Sequence, residues 1–117
     1  MKDVALFFAA LADENRLRLL HLMRGGEICV CFLQETLKTN QPKISRHLAY
    51  LRRAGLVEAR RQGKWMYYRL KDQPPKIQEI LEGALAAIKN EPKIKGDRKR
   101  AKQIECAPAR FGVSLPD

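Results

Sequence analysis

Histidine and cysteine are scarce in this 117-residue chain, which contains two His and three Cys. Three cysteines are a small and odd number, which argues against a disulfide framework and favours reduced thiols with a particular use. No apolar run approaches the roughly 20 residues that a membrane-spanning helix needs. We therefore expect a cytoplasmic protein with no membrane partner.

The residue patterns typical of catalysis are missing as well. The sequence contains no convincing catalytic triad, phosphate-cradling Gly loop or acid pair, and its two histidines, His21 and His47, fall in separate predicted helices. These absences predict a protein that is not an enzyme and that has no obligatory cofactor.

Positive charge, in contrast, is abundant and clustered. The chain has 23 Lys and Arg against 13 Asp and Glu, a net charge of +10, and residues 38–71 alone hold ten Lys and Arg and one Glu. A charge that served only solubility would be spread out and mixed in sign, so this cluster predicts a docking surface for a polyanion. The alternatives are a solvated face and a structural nucleic-acid binder that responds to no ligand.

Apolar residues at helical spacing predict four helices in the first half of the chain. Val4, Phe7, Phe8 and Leu11 form one face of the first, and Asp13 caps the second. A short third helix covers about residues 29–38. A polar turn at 39–41 separates it from a basic fourth helix, and this arrangement predicts a helix-turn-helix.

The second half of the chain predicts a wing, a dimer helix and a tail. Two β-rich runs, 57–62 and 65–70, flank Gly63-Lys64, a two-residue linker of hairpin type. The complete pattern predicts a mostly α fold with a small β-hairpin, a winged helix-turn-helix in the order ααααββα. A fifth helix after Pro75 has a wide apolar stripe, which with the first helix predicts a homodimer interface; alternatively, each face packs only on its own core. We expect one domain over residues 1–90 and a flexible basic tail over 91–117.

Residues of the fourth helix and the wing are the candidates for contact with DNA. The exposed N-terminal half of the fourth helix should face the major groove, where its side chains read base edges or bind phosphate. For His47, packing with a hydrogen bond is the alternative role. Wing cations should bind the backbone or the minor groove. The predicted DNA-binding residues are Gln41, Lys43, Ser45, Arg46, His47, Arg60, Arg61 and Lys64.

Cys29 and Cys31 are candidate ligands for a thiophilic ion, because two thiolates one residue apart are soft donors. In a regular helix these residues lie about 200° apart, so both can bind one ion only if the first turn is distorted. That distortion would disturb the neighbouring DNA-reading helix. The alternative is that both are small buried hydrophobes.

Ser45-Arg46-His47-Leu48, with Asn15-Arg16-Leu17 and the order of elements, resembles the ArsR/SmtB family of winged-helix repressors over about residues 3–89. The resemblance implies a homodimer that represses double-stranded operator DNA and releases it when an ion binds. Cys29-Val30-Cys31 is similar to the cysteine box of the arsenic-sensing branch, which implies arsenite or antimonite as inducer.

The chain departs from that box at the position of its third cysteine, where it has Gln34. Arsenite prefers three sulfurs, so the missing ligand is either Cys106, brought by the tail, or absent, with two thiols sufficient. In the second case Cys106 is an incidental cysteine. Cadmium, lead, zinc or thiol oxidation remain alternative signals for the same fold.

Overall fold

The computed structural model describes residues 1–103, which form six α-helices, one 3-10 turn (Met23–Gly25) and three short strands. None of these helices is both long enough and apolar enough to cross a membrane. In chain order the elements are α1 (Lys2–Leu11), α2 (Glu14–Leu22), β1 (Ile28–Cys29), α3 (Val30–Leu37), α4 (Gln41–Arg53), β2 (Val57–Gln62), β3 (Trp65–Leu70), α5 (Pro75–Ala87) and α6 (Pro92–Gln103).

Capping side chains begin two of the helices, and a residue in the left-handed backbone conformation ends another. The Asp13 carboxylate accepts a hydrogen bond from the Arg16 backbone N–H at the start of α2, and the Asn40 side chain accepts one from the Lys43 N–H at the start of α4. These bonds satisfy backbone donors that the first turn leaves unpaired. Lys38 ends α3 in the left-handed region at φ 53°. The chain can therefore turn into α4 within three residues.

The three strands form one antiparallel sheet in the order β1-β3-β2. The predicted hairpin is confirmed, with Val57 opposite Leu70 at its base and Gln62 opposite Trp65 at its tip. Gly63 has a φ of 62° at the first central position of the turn, as a type II′ turn requires. The third strand, β1, was not predicted, because two residues are too short to show a period-two pattern.

The hydrophobic core lies between the helix-turn-helix, α2 and the sheet. The predicted inward stripes of α3 and α4 are buried, as is most of that of the second helix, whereas the predicted faces of α1 and α5 are buried only at Phe7 and Leu81. Because α3 and α4 share this core with the sheet, a shift of any one of these elements changes the packing of the others. The largest fully buried side chains include Phe32, Leu19, Leu20, Leu22, Met23, Ile28, Leu33, Ile44, Leu48 and Leu51.

Residues 92–103 are not the flexible tail that the sequence predicted. They form α6, which packs on α2 and α3 and buries Ile94, Asp97 and Ala101. The prediction was wrong because so few residues of this basic segment are apolar. A buried ion pair, which has no periodic signature, holds the helix in place. The remainder of the predicted tail, residues 104–117, lies outside the described part of the chain.

Candidate DNA-binding surface and thiol site

The first half of α4 presents an exposed polar surface. Gln41, Lys43, Ser45 and Arg46 are exposed, while Ile44 and Leu48 on the opposite side are buried. The Gln41 amide donates a hydrogen bond to the Ser45 hydroxyl at 3.1 Å. The structure thus brings four of the five predicted reading residues of this helix to one solvent-facing side, near its N-terminus.

His47, the fifth, is half-buried, and its contacts are within the protein. Its Nδ1 lies 3.9 Å from Oδ1 of Asp13, the cap of α2. That carboxylate is partly buried, which opposes ionisation. The backbone N–H and charge of Arg16, together with His47, nevertheless lower the pKa of Asp13. The geometry therefore fits the alternative role of a packed histidine, and contact of His47 with DNA stays a prediction.

Arg16, which the sequence indicated only as part of a family motif, is a second anchor between α2 and the reading helix. Its guanidinium donates to the backbone oxygens of Ala10 at 2.8 Å and Ala9 at 3.0 Å. The same group lies 4.1 Å from the centre of the Tyr50 ring on α4. Arg16 therefore ties the end of α1 to α4 and fixes the angle at which α4 is presented.

Two of the three predicted wing cations are exposed and have no acidic partner among residues 1–103. Arg61 projects from β2, and Lys64 occupies the hairpin turn with its ammonium 5.6 Å from the Trp65 ring. Both can reach phosphates, because nothing acidic in the described part of the chain competes for them.

Arg60, the third wing cation, is held in the middle of the wing, opposite Tyr67. Its guanidinium donates two hydrogen bonds to the Glu27 carboxylate, at 2.6 and 3.0 Å, and it lies over the Tyr67 ring at 4.7 Å. The bond to Arg60 lowers the pKa of Glu27 despite partial burial. This arrangement ties β2 to the residue that precedes β1. The two side chains are 33 residues apart, so no local pattern signals the pair.

The two neighbouring cysteines lie where the sheet meets the helix-turn-helix. Cys29 is completely buried and its backbone pairs with Tyr67 of β3, whereas Cys31 is half-buried at the second position of α3. Within residues 1–103, no group of three or more His, Cys, Asp or Glu is arranged to hold a metal ion. Cys106 lies outside the described residues. The described thiols thus supply two donors.

The prediction that both cysteines belong to one helix was wrong. Cys29 has φ −70° and ψ 142°, an extended conformation, and caps α3 instead of extending it. The helical separation of about 200° between the two side chains therefore does not hold here. The obstacle to a shared ligand is the burial of Cys29 in the core, because an incoming ion must displace the side chains packed around its sulfur.

The comparisons with known proteins agree with this architecture. The family described as "Bacterial regulatory protein, arsR family" matches residues 13–59, from the cap of α2 into β2. The chain is 43% identical over 108 residues to "Arsenic resistance transcriptional regulator ArsR2" of Pseudomonas putida, a match that covers 91% of this chain and 92% of that protein. The chain belongs to the arsR family. It is therefore related to DNA-binding transcriptional regulators and not to enzymes.

Further arsR-family relatives support the same fold. "Arsenic resistance transcriptional regulator ArsR1" of Pseudomonas putida is 48% identical over 84 residues; the match covers 70% of this chain and 66% of that protein, just under two thirds of its length. The homodimeric winged helix-turn-helix DNA-binding domain Mb0332 of Mycobacterium bovis has a TM-score of 0.64 and 31% identity, over 74% of this chain and 78% of that one. The winged helix-turn-helix predicted from the sequence is confirmed.

Proposed function

We propose that this arsR-family regulator is a homodimeric, cytoplasmic repressor that releases its operator when trivalent arsenic or antimony binds to Cys29 and Cys31. One observation carries the proposal: the thiol pair lies at the junction of β1 and α3, where Cys29 pairs with Tyr67 of the wing strand β3 and Cys31 lies in the first turn of α3, the helix that packs on α4. The names of two relatives, both arsenic resistance regulators, support the choice of ion.

The DNA-binding half of the proposal rests on α4 and the wing tip. Gln41, Lys43, Ser45 and Arg46 enter the major groove, where amide, hydroxyl and guanidinium groups read base edges. Arg61 and Lys64 bind phosphates beside it and add affinity without much selectivity. Arg60 acts indirectly, because its ion pair with Glu27 orients the wing.

Dimerisation is supported by apolar side chains that the monomer leaves in water. Phe8 on α1 is 48% exposed and Ile80 on α5 is 40% exposed, and Val4 is also exposed. A small domain gains stability when it buries such faces in a partner. A two-fold dimer through α1 and α5 presents two α4 helices to half-sites about one helical turn apart, or multiples of it.

The burial of Cys29 provides the route from ligand to release. Binding to its sulfur disturbs the packing of β1, whose Cys29 pairs with Tyr67, and the Tyr67 ring in turn supports Arg60 in the middle of the wing. Cys31 lies on α3, so the same ligand also pulls on the first helix of the helix-turn-helix. Changing a 99:1 equilibrium to 1:99 takes about 5.5 kcal/mol of differential affinity, which several metal–thiolate bonds can supply.

A third sulfur ligand for arsenic must come from outside the pair Cys29 and Cys31. Arsenite binds three sulfurs in a pyramid, and residues 1–103 provide Cys29 and Cys31 as the paired thiols. We propose Cys106, from the same or the partner subunit, as the third donor. With two thiols only, the site instead suits an arsenical that already carries a hydroxide or methyl group.

The test is a gel shift on the DNA upstream of the chain's own gene, with arsenite, antimonite, cadmium, lead, zinc and peroxide added separately. We expect arsenite or antimonite to release the wild type but not Cys29→Ser or Cys31→Ser. Cys106→Ser serves as the matched thiol variant, and a loss of release in it identifies the third ligand. Because a substitution at the buried Cys29 can destabilise the fold, circular dichroism is used to check that each variant is folded.

Two results would contradict the proposal. If both single variants are released by arsenite as readily as the wild type, the thiol mechanism is wrong. If cadmium, lead, zinc or peroxide releases the protein and arsenite does not, the fold is the same but the signal is a different one.

A further inference from the structure

Helix α6 has a well-defined buried side that fixes its position. Asp97 is 1% exposed and accepts two hydrogen bonds from the Arg18 guanidinium on α2, both at 2.8 Å. Arg100 donates to Asp97 at 2.5 Å and to the backbone oxygen of Thr36 on α3 at 2.8 Å. Ile94 packs on the same side. The helix is therefore held to α2 and α3 by charged and apolar contacts together.

The opposite side of α6 is a stripe of lysines. Lys95, Lys99 and Lys102 follow the spacing i, i+4, i+7, which places them on one face of the helix, and all three are exposed. In the part of the chain that the structure describes, none of them is paired with an acid. The helix carries six Lys and Arg and one Asp over residues 92–103, a net charge of +5, and that Asp is already bound to Arg18 and Arg100.

The fold does not account for this stripe. Lys95 lies in the first turn, where a cation opposes the helix dipole, and lysines at i and i+4 repel each other. Both effects are unfavourable, and the described residues offer no acid that offsets them. A partner that supplies negative charge along a line would make these contacts favourable.

Helix α6, which carries this stripe, is attached to α3 close to the start of the DNA-reading helix α4. Arg100 bonds to Thr36 in the last turn of α3, five residues before Gln41 begins α4. In a helix-turn-helix the first helix crosses the DNA backbone while the second enters the groove. With the proposed docking on DNA, a helix fixed to the end of α3 would be positioned beside the phosphates that flank the groove.

We propose that Lys95, Lys99 and Lys102 form a second phosphate-binding surface, which extends the contact of each subunit along the DNA backbone beyond the helix-turn-helix and the wing. The inference rests on the proposed function as a DNA-binding repressor. It assigns to α6 a sequence-independent share of the affinity, because lysine–phosphate contacts position a protein on DNA without reading bases.

The test compares the salt dependence of DNA binding by the full-length wild type and by Lys95→Gln/Lys99→Gln/Lys102→Gln. Each lost phosphate contact lowers the slope of log K against log salt by about 0.9, so we expect a decrease of about 2 to 3 per subunit. The decrease should be equal on the DNA upstream of the gene and on a random duplex of the same length. The triple Lys→Arg variant should restore the wild-type slope.

The matched control is Lys2→Gln/Lys76→Gln/Lys89→Gln, which removes the same charge from exposed positions away from α3 and α4. A slope in the α6 variant that falls by less than about 1, or no more than in the control, would overturn the inference. If the wild type binds both duplexes with equal affinity, sequence-specific repression fails while the phosphate surface can still be correct. If it binds neither duplex, both proposals are wrong.

Discussion

Asp97→Asn tests whether one buried carboxylate holds α6 on the regulator. The substitution keeps the volume of the side chain and removes its charge, so that Arg18 and Arg100 lose the carboxylate that they share. Breaking a buried ion pair costs about 3 to 5 kcal/mol. Side chains of Arg18 and Arg100 are 16% and 30% exposed, so water partly solvates them in the variant. We therefore expect a loss of about 3 kcal/mol, at the lower end of that range.

The loss should appear first in α6 and not across the whole domain. Apart from Asp97, this helix buries only Ile94 and Ala101 among the described residues, too little apolar surface to hold twelve ordered residues on its own. Hydrogen exchange should show residues 92–103 losing protection while α4 keeps it. Urea unfolding, followed by circular dichroism, measures the total change in the free energy of unfolding.

Asp72→Asn is the matched control, because Asp72 is an exposed acid and a surface substitution usually changes stability by no more than about 0.5 kcal/mol. A change of that size in Asp97→Asn, with exchange in α6 unaltered, would refute the view that the ion pair holds the helix.

Two further predictions concern pH and assembly. Burial, reinforced by the charges of Arg24 and Arg98, lowers the pKa of His21 to about 4, although Asp97 opposes the shift. Below about pH 6.5, the unfolded chain therefore binds more protons than the folded protein. The free energy of unfolding should fall from there to about pH 4, by up to about 1.4 kcal/mol per pH unit. His21→Gln should flatten this part of a urea-denaturation pH profile, and an unchanged profile would show that His21 is not the titrating group. Phe8→Glu and Ile80→Glu should each place a charge in the proposed dimer interface. Sedimentation should therefore find monomers at concentrations where the wild type is dimeric. Dimers of undiminished affinity in both variants would exclude α1 and α5 as the interface.

Much of the fold follows from patterns that act over a few residues. The stripe of Ile44, Leu48 and Leu51 needs only the helical period to predict a buried face, and Gly63-Lys64 needs only turn geometry to predict a hairpin. The exposed side of α4 then follows as the complement of its buried side. For this reason the sequence predicted the winged helix-turn-helix and the exposure of Gln41, Lys43, Ser45 and Arg46, while their contacts with DNA stay predictions.

The outcome for the thiol pair shows where such patterns fail. Periodicity placed Cys29 within α3, whereas pairing with Tyr67, 38 positions further along the chain, draws it into a strand. A strand of two residues exists only because β3 is there to pair with it, so no property of the residues around Cys29 predicts its conformation.

The sequence by itself determined the class of fold, the position of the recognition helix and the presence of two soft ligands one residue apart, because helical period, turn chemistry and composition are local properties. Only the tertiary structure decided that Arg60 is bound to Glu27, that Cys29 is buried under the wing, and that Asp97 converts a basic segment into a docked helix. Each of these depends on charges or backbone groups that are distant in the chain and close in space. Their energies exist only after the core has brought them together.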